Sequence, residues 1–145
     1  MPTARARRTL SWPPEAVWSI VGDPRELPRW WPHVVRVENT STRGFTEVLA
    51  TARGRQVRAD FRVTGHDPHE RHAWSQEIAD SPFAKTFRAS DTEIVLERAP
   101  EGGTEVRLKL RQRLRGLARL GGFIVRRAGR RQLRRALDGL EEALS

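Results

Sequence analysis

The chain contains no cysteine, no tyrosine and a single methionine. Without cysteine there is no disulfide, no thiolate nucleophile and no thiolate to anchor a metal. No apolar run approaches the ~20 residues that a membrane-spanning helix needs. The first residues, Met1-Pro-Thr-Ala-Arg-Ala-Arg-Arg, carry charge with no apolar stretch behind them. No secretory signal is therefore expected, and the chain reads as cytoplasmic. Lysine is scarce too: Lys85 and Lys109 are the only two among 27 basic residues. Gly121-Gly122 has neither the spacing nor the lysine of a phosphate-binding loop.

What the chain has in excess is arginine. The formal charge is +9, and Arg107–Arg135 holds twelve basic side chains with no acidic one. Such a surface attracts polyanions or an anionic membrane surface, whether or not that is its role. Nucleic acid is disfavoured, because the cations are not interleaved with exposed aromatics and no DNA-binding motif is present. A solvated arginine face is the plainer reading. At 145 residues the chain fits one domain, 1–145, able to bury roughly 70% of its unfolded surface. It shows no repeat and no linker.

The hydrophobic period switches along the chain. Residues 3–11 read as a strand. Pro13-Pro14 then opens a short helix carrying Ala16, Val17, Ile20 and Val21, and Gly22-Asp23-Pro24 ends it. Arg25–Trp30 reads as a second short helix, stopped at Pro32. From Val34 the period is two, with strands expected over 34–40, 45–53, 56–64, 71–79, 92–99 and 105–115. The stretch 80–90 is expected to be irregular, with Phe83 and Phe87 needing burial. The segment Gly116–Ser145 has no proline and reads as one long helix. Its inner face collects Ala118, Gly121, Gly122, Val125, Ala128, Gly129, Gln132, Ala136, Gly139, Leu140 and Ala143, and its back collects arginines. Small residues on that face allow either close packing or a space beneath the helix. This order gives an α+β domain, with a curved antiparallel sheet of about six to seven strands wrapped around a long C-terminal helix. The two short helices follow the first strand.

Several short motifs occur in a telling order. They are Pro14-Glu15-Ala16-Val17-Trp18, Asp23-Pro24, Leu27-Pro28-Arg29-Trp30-Trp31-Pro32-His33-Val34, the Gly102-Gly103-Thr104-Glu105-Val106 hairpin and the final Ala136-Leu137-Asp138-Gly139-Leu140. Together they resemble the SRPBCC superfamily, the helix-grip group of START-like and polyketide cyclase/dehydrase-like proteins, over the whole chain. The resemblance implies a deep, mainly apolar cavity between sheet and long helix, gated near the two short helices. It implies a small apolar ligand (lipid-, polyketide- or aromatic-like), or else a cyclase/dehydrase-like enzyme using the same cavity.

The residues themselves fit such a cavity. The expected inward strand faces carry Val57, Ala59, Phe61, Val63, Trp74, Ile78, Ile94, Leu96, Leu108 and Leu110. Of four glutamines, Gln76, Gln112 and Gln132 fall on inward faces by periodicity. A buried amide left unpaired costs about 1–3 kcal/mol. They therefore bond a ligand, or else backbone and buried water. Of Trp30-Trp31, one is expected to plug the core and the other to line the pocket mouth; Trp12 and Trp18 read as core. The expected ligand-binding set is Trp30, Trp31, Phe61, Trp74, Gln76, Phe83, Phe87, Leu108, Val125 and Gln132. If Phe61, Trp74, Phe83 and Phe87 instead fill the gap, the pocket shrinks. His66, His69 and His72 crowd a turn that reads as an exposed hairpin, so no metal and no cofactor are expected. His33 is the sole modest candidate for acid–base work in the cavity. That lack leans the reading to binding over catalysis, and no catalytic residue is assigned. The oligomeric state is not readable.

Overall fold

The computed structural model describes residues 2–116 and 121–145. Strand β1 (Thr3–Leu10) lies at one edge of the sheet. Helix α1 (Pro14–Val21), a 3₁₀ turn (Pro24–Glu26) and α2 (Leu27–Trp30) then carry the chain to the opposite edge. Pro14 opens α1, where its missing N–H costs nothing. The Asp23 carboxylate caps the 3₁₀ turn through the Arg25 N–H at 3.0 Å. From there β2 (Val34–Glu38), β3 (Gly44–Ala50), β4 (Gln56–Asp67), β5 (Arg71–Glu77), β6 (Phe87–Arg98) and β7 (Thr104–Leu114) return as a meander. The spatial order is β1-β7-β6-β5-β4-β3-β2, and every neighbouring pair is antiparallel. The chain closes its seven-stranded sheet by laying the first strand beside the last.

Helix α3 (Gly122–Leu144) packs on β1, α2 and β7. Leu133, Ala136, Leu137 and Leu140 are fully enclosed, in one core with Val17, Val21, Leu27, Trp30, Ile94, Val106 and Leu108. These leucines and Ala136 repeat at spacings of three and four, which keeps them on one side of the helix.

The structure corrects the expected helix in three ways. First, it starts at Gly122; Ala118 lies outside the described residues. Second, the centre of its buried face is Leu133, Leu137 and Leu140, while Ala128 is exposed. Third, Gly129 and Gly139 serve close contact rather than space. A Cβ on Gly129 would lie 3.0 Å from the Ala4 Cβ, and one on Gly139 would lie 2.5 Å from the Trp30 carbonyl oxygen. Strand bounds shift as well. The irregular stretch shrinks to a 3₁₀ turn (Pro82–Lys85) held by the Ser81 side chain, and β6 begins at Phe87. β4 continues to Asp67, which leaves a tighter turn before β5.

Irregularities in the ladder decide which side chains face inward. The β6–β7 register shifts between Phe87 and Ala89. That extra residue rephases the alternation, so Phe87 joins Ser90 and Thr92 on one face. A second shift between Val63 and Gly65 sets His66 opposite His72.

Candidate ligand pocket

Beside α3 the sheet face leaves a pocket of about 170 Å³. Its floor follows the cross-strand pairing. Phe45 opposes Phe61, Phe61 opposes Gln76, and Ser90 opposes Gln112. In the adjacent row Trp74 opposes Thr92, and Thr92 opposes Leu110. Phe83 and Phe87 line it from the 3₁₀ turn and the start of β6, while Trp31, Pro32 and His33 line it from the α2–β2 connection. Gln132 reaches it from α3. The aromatic rings brace one another. Phe45 stacks on Phe61 at 5.3 Å between centroids, and Trp31 meets Trp74 edge-on at 5.5 Å. Such contacts fix ring positions beyond what burial alone gives. His33 takes a left-handed φ of 69°, and its carbonyl accepts the Ala50 N–H at 2.9 Å.

Glu47 also lines this pocket. It shares the inward parity of β3 with Phe45 and Leu49. It is only 3% exposed, and its Oε2 has no hydrogen-bond partner. Burial pushes its carboxyl up to about 8. Near neutral pH the side chain is therefore mostly an uncharged acid, able to donate one hydrogen bond and accept others. Sequence reading missed it. The signal available was its position two residues from Phe45 and two from Leu49.

The profile of the polyketide cyclase/dehydrase and lipid transport family matches residues 1–145. The chain belongs to this family. Among curated proteins none matches the chain. Solved structures do. A START superfamily protein from Mycobacterium smegmatis superposes with a TM-score of 0.80 at 13% identity, covering 98% of this chain and 96% of that one. A protein of Thermus thermophilus gives 0.76 at 24% identity, covering 99% and 97%. One from Deinococcus radiodurans gives 0.68 at 22%, covering 97% and 95%. At these identities the likeness carries the START-like helix-grip fold. Membership of the family suggests a bound small molecule.

Of the set expected from sequence, the structure brings Trp31, Phe61, Trp74, Gln76, Phe83, Phe87 and Gln132 together around the pocket, with Gln112 and His33. Three do not line it. Trp30 is buried in the core under α3, edge-on to Trp31 at 5.2 Å. Leu108 pairs with Ile94 one row beyond Leu110, in the half of the sheet that the core leucines fill. Val125 is half-buried on the first turns of α3, away from the lining. Among the described residues, wider hollows of about 800 and 610 Å³ lie along β1 and at the β6–β7 hairpin. Arg5, Arg7, Arg8, Arg107, Lys109 and Arg134 line the larger one, together with Glu93 and the apolar Ala6, Val95, Leu108 and Leu137.

The histidine turn also needs correcting. His66 and His69 are exposed, but His72 is buried, at 1% exposure. Its Nδ1 lies 3.1 Å from His66 Nδ1, and its Nε2 has no partner. Trp18 of α1 meets it edge-on at 6.1 Å, and the Trp74 ring lies 5.4 Å away. Burial pushes its imidazole down to about 4, the neighbouring His66 adding to this and Asp23 opposing it. Among the described residues no group of three or more His, Asp or Glu side chains is placed to hold a metal. No described helix is long and apolar enough to cross a membrane.

Proposed function

We propose that the pocket beside α3 binds one small, largely apolar molecule carrying a polar group. The observation behind this reading is the lining itself. Aromatic walls (Trp31, Phe61, Trp74, Phe83, Phe87) surround the amides Gln76, Gln112 and Gln132. Ligand sites have this composition, apolar with few placed polar groups. The volume narrows the ligand. A cavity of about 150 Å³ accepts benzene, so about 170 Å³ suits one or two fused rings rather than a long acyl chain. The test is titration with indane, a bicyclic hydrocarbon, followed by ligand-observed NMR. Saturable uptake is expected, and Ser90→Leu, which fills the pocket, is expected to abolish it. Wild-type protein that takes up no indane would sink the reading.

Catalysis in the same pocket is a second reading, because Glu47 supplies the inward titratable group that sequence reading lacked. A raised carboxyl suits a general acid. The two readings separate on 1-indanone in D₂O. Binding alone leaves its α-protons exchanging at the buffer rate. Acceleration that disappears in Glu47→Gln would favour the enzyme.

A separate reading concerns the outer surface of α3. Phe123 and Ile124 are 65% and 59% exposed, on a helix whose back carries Arg127, Arg130, Arg131 and Arg134. Apolar tips among cations suit an anionic membrane surface. Co-sedimentation with phosphatidylserine vesicles is expected to fall steeply between about 50 and 200 mM salt, and to weaken in Phe123→Ser. Equal binding to zwitterionic vesicles would discard this reading.

A further inference from the structure

We infer that Glu47 is the recognition residue of this pocket, a carboxylic acid that donates a hydrogen bond to the carbonyl oxygen of a small, uncharged cyclic ligand. The inference rests on the pocket reading above and goes further by naming the ligand's chemical class.

The geometry comes first. Glu47 sits mid-strand on β3, where backbone pairing to Val37 and Ala59 holds it from both sides. Its side chain lines the pocket, and Oε2 is enclosed without a partner. Nothing around it explains a structural carboxylate. The cations of the neighbouring strands, Arg36 and Arg58, flank Val48 on the opposite face of the sheet and pair there with Glu38, at 3.3 and 2.9 Å. A buried carboxyl with an unpaired oxygen is costly, so its retention in a side chain that borders the pocket points to a partner that arrives with the ligand.

The chemistry of the lining then selects that partner. Apart from His33, the other polar side chains at the pocket are amides and hydroxyls: Gln76, Gln112, Gln132, Ser90 and Thr92. Among the described residues no arginine or lysine lines it, so a carboxylate or phosphate ligand meets no counter-charge from them. An ammonium ligand would have to ionise Glu47 in a buried site, inside a protein of net charge +9 that repels cations. A neutral acceptor demands neither. With the carboxyl raised to about 8, most of it is protonated at pH 7 and ready to donate. The amides can bond any second polar group on the ligand.

The test uses three ligands of nearly one shape: 1-indanone, indane and 1-aminoindane. Each is titrated into wild type, Glu47→Gln and Glu47→Leu by ligand-observed NMR at pH 7 and pH 9. Indanone is expected to bind wild type about tenfold tighter than indane at pH 7. That advantage is expected to fall about tenfold by pH 9, as Glu47 ionises. Glu47→Gln keeps a donor and cannot ionise, so it is expected to retain the indanone preference at both pH values. Glu47→Leu is expected to bind indane and indanone alike. Three results overturn the inference. Indane binding as tightly as indanone in wild type, unchanged in Glu47→Leu, leaves the pocket standing and removes Glu47 from recognition. Aminoindane binding tightest, and tighter at pH 9, makes Glu47 an anionic site for amines. Failure of all three ligands to bind removes the pocket reading itself.

Discussion

Two atoms on the inward face of the sheet, Oε2 of Glu47 and Nε2 of His72, are buried without a hydrogen-bond partner, and their surroundings are opposite. Glu47 faces a space bounded by amides and aromatic rings. His72 is enclosed by the rings of Trp18 and Trp74, with His66 against its other nitrogen. Burial neutralises both, raising the acid to about 8 and lowering the base to about 4. The difference lies in room. An orphaned polar atom marks a ligand site only where a ligand can stand beside it. Where rings already occupy that place, the same orphan is a cost of packing, and the imidazole serves as one more flat side chain.

The largest expected effect tests the Glu47 half of this contrast. Its carboxyl is raised from 4.5 in the folded state. Its contribution to stability is therefore fully present below about 4.5 and is lost as pH climbs to about 8. The loss amounts to on the order of 5 kcal/mol. Glu47→Leu, measured by urea unfolding, is expected to be much more stable than wild type at pH 9 and to lose most of that relative advantage at pH 4.5. An advantage that does not change with pH would mean the carboxyl is not held neutral.

His72 gives the next effect, with the opposite sign. Its imidazole is lowered from 6.5 to about 4, so stability is present above 6.5 and lost as pH falls. The loss is on the order of 3 kcal/mol. His72→Leu is expected to leave the Glu47 slope unopposed, so that stability keeps rising as pH falls from about 6.5 to 4.5, and to leave the alkaline limb unchanged. Between about 4.5 and 6.5 the two groups have equal and opposite slopes. Wild type should therefore show a plateau there from this pair. A double variant that keeps both limbs would break the assignment of each to one residue.

Much of this was legible in the sequence, for reasons visible at particular residues. Alternation of Val57, Ala59, Phe61 and Val63 marks β4, and that of Val106, Leu108 and Leu110 marks β7, because each strand has one dry face and one wet face. The same alternation placed Gln76 and Gln112 inward. β3 hid Glu47, because Val48 and Ala50 are apolar on the opposite parity and blur the pattern. Thr46 on that outer parity is buried too, its hydroxyl donating to Asp60 at 2.6 Å. Pro82 made the whole of 80–90 read as irregular, and no glycine or proline at Phe87 announces that the strand has already begun there. On α3 a stripe of glycine and alanine drew the inner face too far round. The leucines alone, at 133, 137 and 140, mark its centre. His72 read as exposed because its neighbours in the turn are polar. Its cover comes from Trp18, some fifty residues earlier, which no local pattern reports.

The smallest effects probe room directly, by adding atoms at each site. A Cβ on Gly22 would overlap the Trp18 ring that covers His72. The backbone there has an ordinary φ of −80°, so alanine meets no conformational penalty and only the crowding is felt. Gly22→Ala is expected to cost about 1–3 kcal/mol, the usual price of overpacking. Ser90→Leu adds more atoms, at a strand position more enclosed than Gly22, yet its side chain points into the pocket. It is expected to cost less than about 1 kcal/mol, since the added methyl groups enter space that is already there and gain apolar contact. The ranking is the informative quantity, because the larger insertion should be the cheaper one. If urea unfolding at pH 6 gives the reverse order, the space beside Glu47 closes in solution, and both orphaned atoms become packing costs of the same kind.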